Sequence, residues 1–120
     1  MKSSFDVLVI GSGASGMTAA IYLKRANINV GIIEKTSPGG QLNRIKSIDN
    51  YPGVINIDGP SLAFNMFSQM QELSVHYIYG EVVKIIDNGS TKTVITNREE
   101  IETKSIIIAT GRKPNETGLE

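Results

Sequence analysis

The 120-residue sequence contains no cysteine. That excludes a disulfide framework, a thiolate nucleophile and a zinc–thiolate site, and it fits a reducing compartment. Charge of one sign is also lacking. Twelve Lys and Arg balance twelve Asp and Glu, so nothing in the charge points to nucleic acid or an anionic membrane as partner. No apolar run is long enough to span a bilayer. Lys2 precedes an apolar stretch at 7–23, as in a secretory signal, but Gly11-Ser12-Gly13 interrupts it and no small-residue cleavage pattern follows cleanly. A strand followed by a helix is the better reading. Histidine occurs once, at His76, mid-strand and with no acidic neighbour in sequence, which favours a structural role. Proline is sparse, and three of the four prolines fall within residues 36–60.

What is present is an α/β pattern. Phe5–Ile10 is a short, continuous, β-branched run of the kind that forms a buried parallel strand. Met17, Ala20, Ile21 and Leu23 then recur at helical spacing within Ala14–Ala26, and Asn27 stops the helix. Asn29–Glu34 (NVGIIE) is a second strand. Strand, helix and strand within about 30 residues form a βαβ unit.

Residues 36–60 hold four of the twelve glycines and read as a binding loop, its apolar residues packing on something. Pro60 opens a helix whose stripe is Leu62, Ala63, Met66, Phe67, Met70 and Leu73. Val75–Tyr79 is a third strand. Glu81–Asp87 and Thr91–Asn97 flank Asn88-Gly89, which predicts a hairpin turn with both central residues at positive φ. Ile101–Lys104 adds a third meander strand. Ser105–Ala109 returns as a separate buried strand, closed by Thr110-Gly111, and the tail reads as a linker.

Gly11, Gly13 and Gly16 satisfy G-x-G-x-x-G between the first strand and the first helix. In such a motif the first glycine allows a tight turn, the second gives a pyrophosphate access to the backbone, and the third permits close helix–strand packing. Amide N–H groups at the helix start, with the positive end of the dipole, face the anion. Glu34, 18 residues past Gly16, stands where an acid accepts hydrogen bonds from ribose hydroxyls, and its charge would repel a 2′-phosphate. The bland alternative is a tight turn without a ligand and an exposed glutamate. The device itself does not distinguish FAD from NAD.

Three further stretches carry a resemblance: PGGQL at 38–42, DNYPG at 49–53 and IIIATGRKP at 106–114. With the glycine motif they occur in the order seen in the N-terminal FAD-binding segment of the low-molecular-weight thioredoxin reductases, which the chain resembles from about Phe5 to Glu120. The resemblance implies a Rossmann-like parallel sheet with a βαβ dinucleotide-binding unit and an antiparallel β-meander. It implies that Ser12, Gly13, Ala14 and Ser15 hold the FAD diphosphate and that Glu34, followed by Lys35, meets the adenosine ribose. Gly39, Gly40, Gln41 and Leu42 would run along the cofactor, Asn50 would lie near the flavin, and the Val82 backbone would pair with the adenine edge. Ala109, Thr110 and Gly111 would pass the diphosphate. Read locally, Asn50 is equally turn chemistry, Gln41 a solvated loop residue and Thr110-Gly111 a strand end.

The same resemblance implies an incomplete FAD/NAD(P)-binding domain: residues 1–112 as the first part of a discontinuous FAD domain and 113–120 as a linker toward an NADPH domain carrying C-x-x-C. It further implies a cytoplasmic, homodimeric parent that reduces a thioredoxin-like protein, with this segment binding and orienting FAD and supplying no catalytic residue. The alternatives are a ferredoxin or flavodoxin NADP reductase of similar build, or a stand-alone dinucleotide-binding module.

Overall fold

A computed structural model describes residues 3–36 and 59–110. The elements, in chain order, are β1 (Ser3–Ile10), α1 (Ala14–Arg25), β2 (Val30–Glu34), α2 (Gly59–Glu72), β3 (His76–Tyr79), β4 (Val82–Asp87), β5 (Lys92–Thr96) and β6 (Glu100–Ile108). They build a six-stranded sheet in the order β3-β2-β1-β6-β5-β4. The first four strands of that order run parallel, while β5 and β4 are antiparallel to their neighbours. No described helix is long and apolar enough to cross a membrane.

Both helices pack on one face of the sheet. Met17, Ala20 and Ile21 of α1 meet Leu62, Ala63, Met66 and Met70 of α2 over Val9, Val30 and Ile32. Met17 and Met70 are almost wholly buried, and each such burial contributes about 2 kcal/mol. The opposite face carries a second core of Phe5, Leu8, Ile33, Ile78, Val94 and Ile101. Strands buried on both faces need continuous apolar runs, which is why β1 and β2 read that way in sequence.

Each helix ends in a left-handed residue that redirects the chain into a strand. Asn27 has φ 66°, with Ile28 N–H donating to Leu23 at 3.0 Å and Asn27 N–H to Lys24 at 2.9 Å. Ser74 has φ 63° and repeats the pattern, with Val75 N–H donating to Met70 at 3.0 Å. These are paired 6→1 and 5→2 caps, and Asn27 is the helix stop that the sequence indicates.

Two expectations change. Of Asn88 and Gly89, only Gly89 has positive φ, at 97°. The connection is wider than a two-residue turn, since the last β4–β5 pair is Asp87 with Lys92. Asn88 N–H donates to the Thr91 carbonyl at 2.9 Å, and Gly89 N–H donates to the Asp87 carboxylate at 2.9 Å. That side-chain turn holds the loop without a left-handed Asn88. Second, the strands expected at 101–104 and 105–109 are one strand, β6, whose second half is exposed or half-buried rather than buried. It lies parallel to β1 from Ile101 to Ile108 and antiparallel to β5 up to Thr103. Thr103, almost wholly buried, sits where the β5 pairing ends, and its hydroxyl donates to the Ser105 carbonyl at 2.9 Å.

Candidate dinucleotide site

The site forms where the parallel strands end. Gly11 N–H donates to the Ile33 carbonyl at 2.8 Å and Ala109 N–H to the Ile10 carbonyl at 2.7 Å, so the ends of β1, β2 and β6 are tied together. Gly11 has φ 104°, and a Cβ there would meet the backbone of Ala109 and Thr110, with the Ala109 carbonyl carbon at 2.7 Å. A Cβ at Gly16 would run into the Gly11 carbonyl and stand 3.3 Å from the Ala109 side chain. These two glycines are required by the protein's own packing.

Gly13 differs. Among the described residues, a Cβ built on it meets no atom within 4 Å beyond its neighbours in the chain. Its backbone is extended (φ −71°, ψ −172°), a conformation open to any residue. It is the N-cap of α1, yet no side chain caps the helix and its first turn holds no acid. The amides of that turn therefore point out of the helix beside an open space, with the dipole behind them: a seat for an anion.

Glu34 ends β2 next to this seat. Its Oε1 accepts the Ser12 N–H at 2.7 Å and the Ser12 hydroxyl at 3.0 Å. Its Oε2 accepts the Thr36 N–H at 3.0 Å and the Thr36 hydroxyl at 2.7 Å. Burial pushes its pKa up, but the bonds from Thr36 and Ser12 outweigh that and hold the carboxyl below its ordinary value. A depressed folded pKa adds stability that is present above the unfolded value of 4.5 and is lost as pH falls through the folded pKa. Glu34→Gln is accordingly less stable than the parent chain at about pH 7, and the gap is smaller at about pH 3. Thermal unfolding at the two pH values checks this; a constant gap contradicts it.

The residues expected at the site divide as follows. Gly11, Ser12, Gly13, Ala14, Ser15, Gly16, Glu34, Ala109 and Thr110 converge on this end of the sheet. Ser12, expected on the diphosphate loop, gives both its N–H and its hydroxyl to Glu34. Lys35 is exposed on the turn after β2. Val82 opens β4 just past a corner in which Gly80 N–H donates to the Glu34 carbonyl at 2.9 Å. Gly39, Gly40, Gln41, Leu42, Asn50, Gly111 and the expected linker lie outside the described residues. His76 is exposed on β3 against the Phe5 ring, with 5.4 Å between centroids, away from this site. Two further residues, Thr36 and Tyr77, join the site without having been expected there. Thr36 had a local signal, a hydroxyl two residues past a strand-ending acid. Tyr77 had none.

A parallel βαβ unit with a glycine turn, a helix start without a side-chain cap and an acid at the second strand's end is the framework of the dinucleotide-binding α/β fold. The profile of the pyridine nucleotide-disulphide oxidoreductases matches residues 5–120, and the chain belongs to that family. Relatives it matches include thioredoxin reductases. That of Bacillus subtilis (strain 168) is 37% identical over 115 residues, covering 96% of this chain and 36% of the relative. That of Listeria innocua is 39% identical over 114 residues, 95% of this chain and again 36% of the relative. The chain thus spans about 36% of the length of these relatives. Among solved structures, the thioredoxin reductase from Streptococcus pyogenes MGAS5005 matches with TM-score 0.90 and 46% identity, over 98% of this chain and 38% of that one. A ferredoxin-flavin thioredoxin reductase from Clostridium acetobutylicum shares the fold, with TM-score 0.86 at 20% identity.

Proposed function

We propose that the chain is the FAD-binding portion of a thioredoxin reductase. The observation that carries this reading is the Cβ position at Gly13, which no described residue fills, beside helix-start amides that no side chain caps and the Glu34 carboxylate. A glycine that no described residue requires, at a place where a diphosphate would touch backbone, fits a ligand's need. The amides from Gly13 to Gly16 hold the diphosphate. Glu34 holds the adenosine ribose, exchanging hydroxyl donors for ribose hydroxyls. Val82 and Lys35 flank the adenine end, and Ala109 and Thr110 back the turn.

Bound FAD supplies the two-electron chemistry that links NADPH to a disulfide; this chain binds it, orients it and shields the diphosphate from water. The parent protein is a cytoplasmic homodimer that passes electrons to a thioredoxin-like partner, with the redox cysteines and the NADPH site on segments other than this one.

Flavin fluorescence on titration with the chain tests the reading. FAD binds; AMP displaces it; adenosine 2′,5′-bisphosphate, which is AMP with a phosphate added at the 2′ oxygen, displaces it at least tenfold less well, because that phosphate meets the Glu34 charge. Equal competition by the two nucleotides, or no binding of FAD, sinks the proposal.

A further inference from the structure

Two tyrosines alternate with Ile78 on β3, and the fold gives them different surroundings. Tyr77 pairs with Ile32 and packs on the helix-side core, its ring edge-on to Phe67 with 5.2 Å between centroids. Tyr79 pairs with Glu34, at the ends of the same two strands. Side chains two residues apart on a strand share a face. Tyr79 and Glu34 therefore stand side by side on the helix side of the sheet, beyond that core. Tyr79 is 59% exposed, and among the described residues no other ring lies against it.

The exposure does not come from a loose backbone. Gly80 N–H donates to the Glu34 carbonyl at 2.9 Å, and the Arg98 guanidinium donates to the Tyr79 carbonyl at 3.4 Å. Asn97 clamps the next residue: its side-chain oxygen accepts the Glu81 N–H at 2.9 Å and its own N–H donates to the Glu81 carbonyl at 3.0 Å. A large ring is thus held in water on a fixed corner, where it forgoes the gain of burial. Tyrosine favours strands because its ring packs on neighbours, and here that packing is missing.

In the proposed site Glu34 holds the ribose. The base hangs from that ribose by one bond, and adjacent strands lie about 4.8 Å apart. A tyrosine one strand over from the carboxylate is within reach of the base. An adenine has two flat π faces, and stacking asks only for an open ring face. Val82, assigned to the adenine edge in the same reading, follows just past the Asn97 clamp.

We infer that the Tyr79 ring is the stacking surface for the adenine of the bound dinucleotide, next to the ribose on Glu34. The inference rests on the proposed dinucleotide reading. It gives the base a face contact from Tyr79 and an edge contact from the Val82 backbone.

The test compares the parent chain with Tyr79→Ala, Tyr79→Leu and Tyr79→Phe. FAD and AMP affinities, unliganded unfolding temperature and magnetisation transfer from ring protons to adenine H2 and H8 of AMP are measured for each. The ring is exposed, so the unfolding temperatures stay close to that of the parent. Affinity for FAD and AMP falls about tenfold in Tyr79→Ala and Tyr79→Leu, which lack the ring, and is kept in Tyr79→Phe. Leucine keeps apolar bulk on the strand, so the result does not depend on the alanine variant folding. Transfer to adenine comes from tyrosine protons in the parent, from phenylalanine protons in Tyr79→Phe, and is lost in Tyr79→Leu. Equal affinity of the parent and Tyr79→Leu overturns the inference and leaves the flavin reading standing. So does a fall in Tyr79→Phe as large as in Tyr79→Leu, or transfer from tyrosine protons that survives in Tyr79→Leu. Failure of the parent chain to bind FAD overturns both readings.

Discussion

Gly13→Ser leaves the chain folded, slightly more stable, and deprived of its hold on FAD. Serine is among the preferred N-cap residues, and the cap of α1 has no side chain filling that role. The extended backbone at Gly13 accepts an L side chain, and among the described residues a Cβ there meets no atom within 4 Å beyond its chain neighbours. Unfolding should therefore shift upward by a few tenths of a kcal/mol. The same hydroxyl occupies the amides on which a diphosphate would rest, and the Cβ holds the diphosphate off the backbone. Losing two charge-assisted hydrogen bonds at about 1.5–3 kcal/mol each weakens FAD about a hundredfold or more. Calorimetric unfolding and flavin titration on one preparation read both effects. Unaltered FAD affinity would remove the diphosphate from this turn.

Gly16→Ala should produce the opposite pairing of effects, because here the fold itself forbids the methyl. The added carbon is driven against the Gly11 carbonyl, a backbone atom inside a turn that Ala109 and Thr110 already cover. Relief requires moving α1 away from β1, which opens the core around Met17 and Val9. A cost of about 3 kcal/mol follows, or about 10 °C or more in the unfolding midpoint, with no ligand present. Serine at Gly13 and alanine at Gly16 thus divide one motif into a residue kept for the ligand and a residue kept for the packing. If Gly16→Ala unfolds with the parent chain, the close approach of α1 to the glycine turn is not what the fold depends on.

Much of this was legible in the residues. The β-branched run of β1, the helical spacing of Met17, Ala20 and Ile21, and the apolar run ending in Glu34 announce the βαβ unit, because burial by a neighbouring element imposes a local period. The spacing of Gly11, Gly13 and Gly16 announces the turn. Pro60 and the stripe beginning at Leu62 announce α2, and Asn27 its predecessor's end. All these signals pass between residues a few positions apart.

The remainder was decided by tertiary structure. Nothing near Ile101 says that it pairs with Ser3, or that 100–108 is one strand serving a meander on one side and a parallel sheet on the other. Nothing near Gly11 says that Ala109 lies across it, so the motif alone cannot tell which glycine the fold requires. Glu34 was placed by pattern, but its four hydrogen bonds depend on the tertiary arrangement that brings Ser12 beside it. Periodicity records which face of an element is buried. Which distant strand covers that face, and which polar atoms are thereby cut off from water, depends on contacts between residues far apart in the chain, and those leave no local mark.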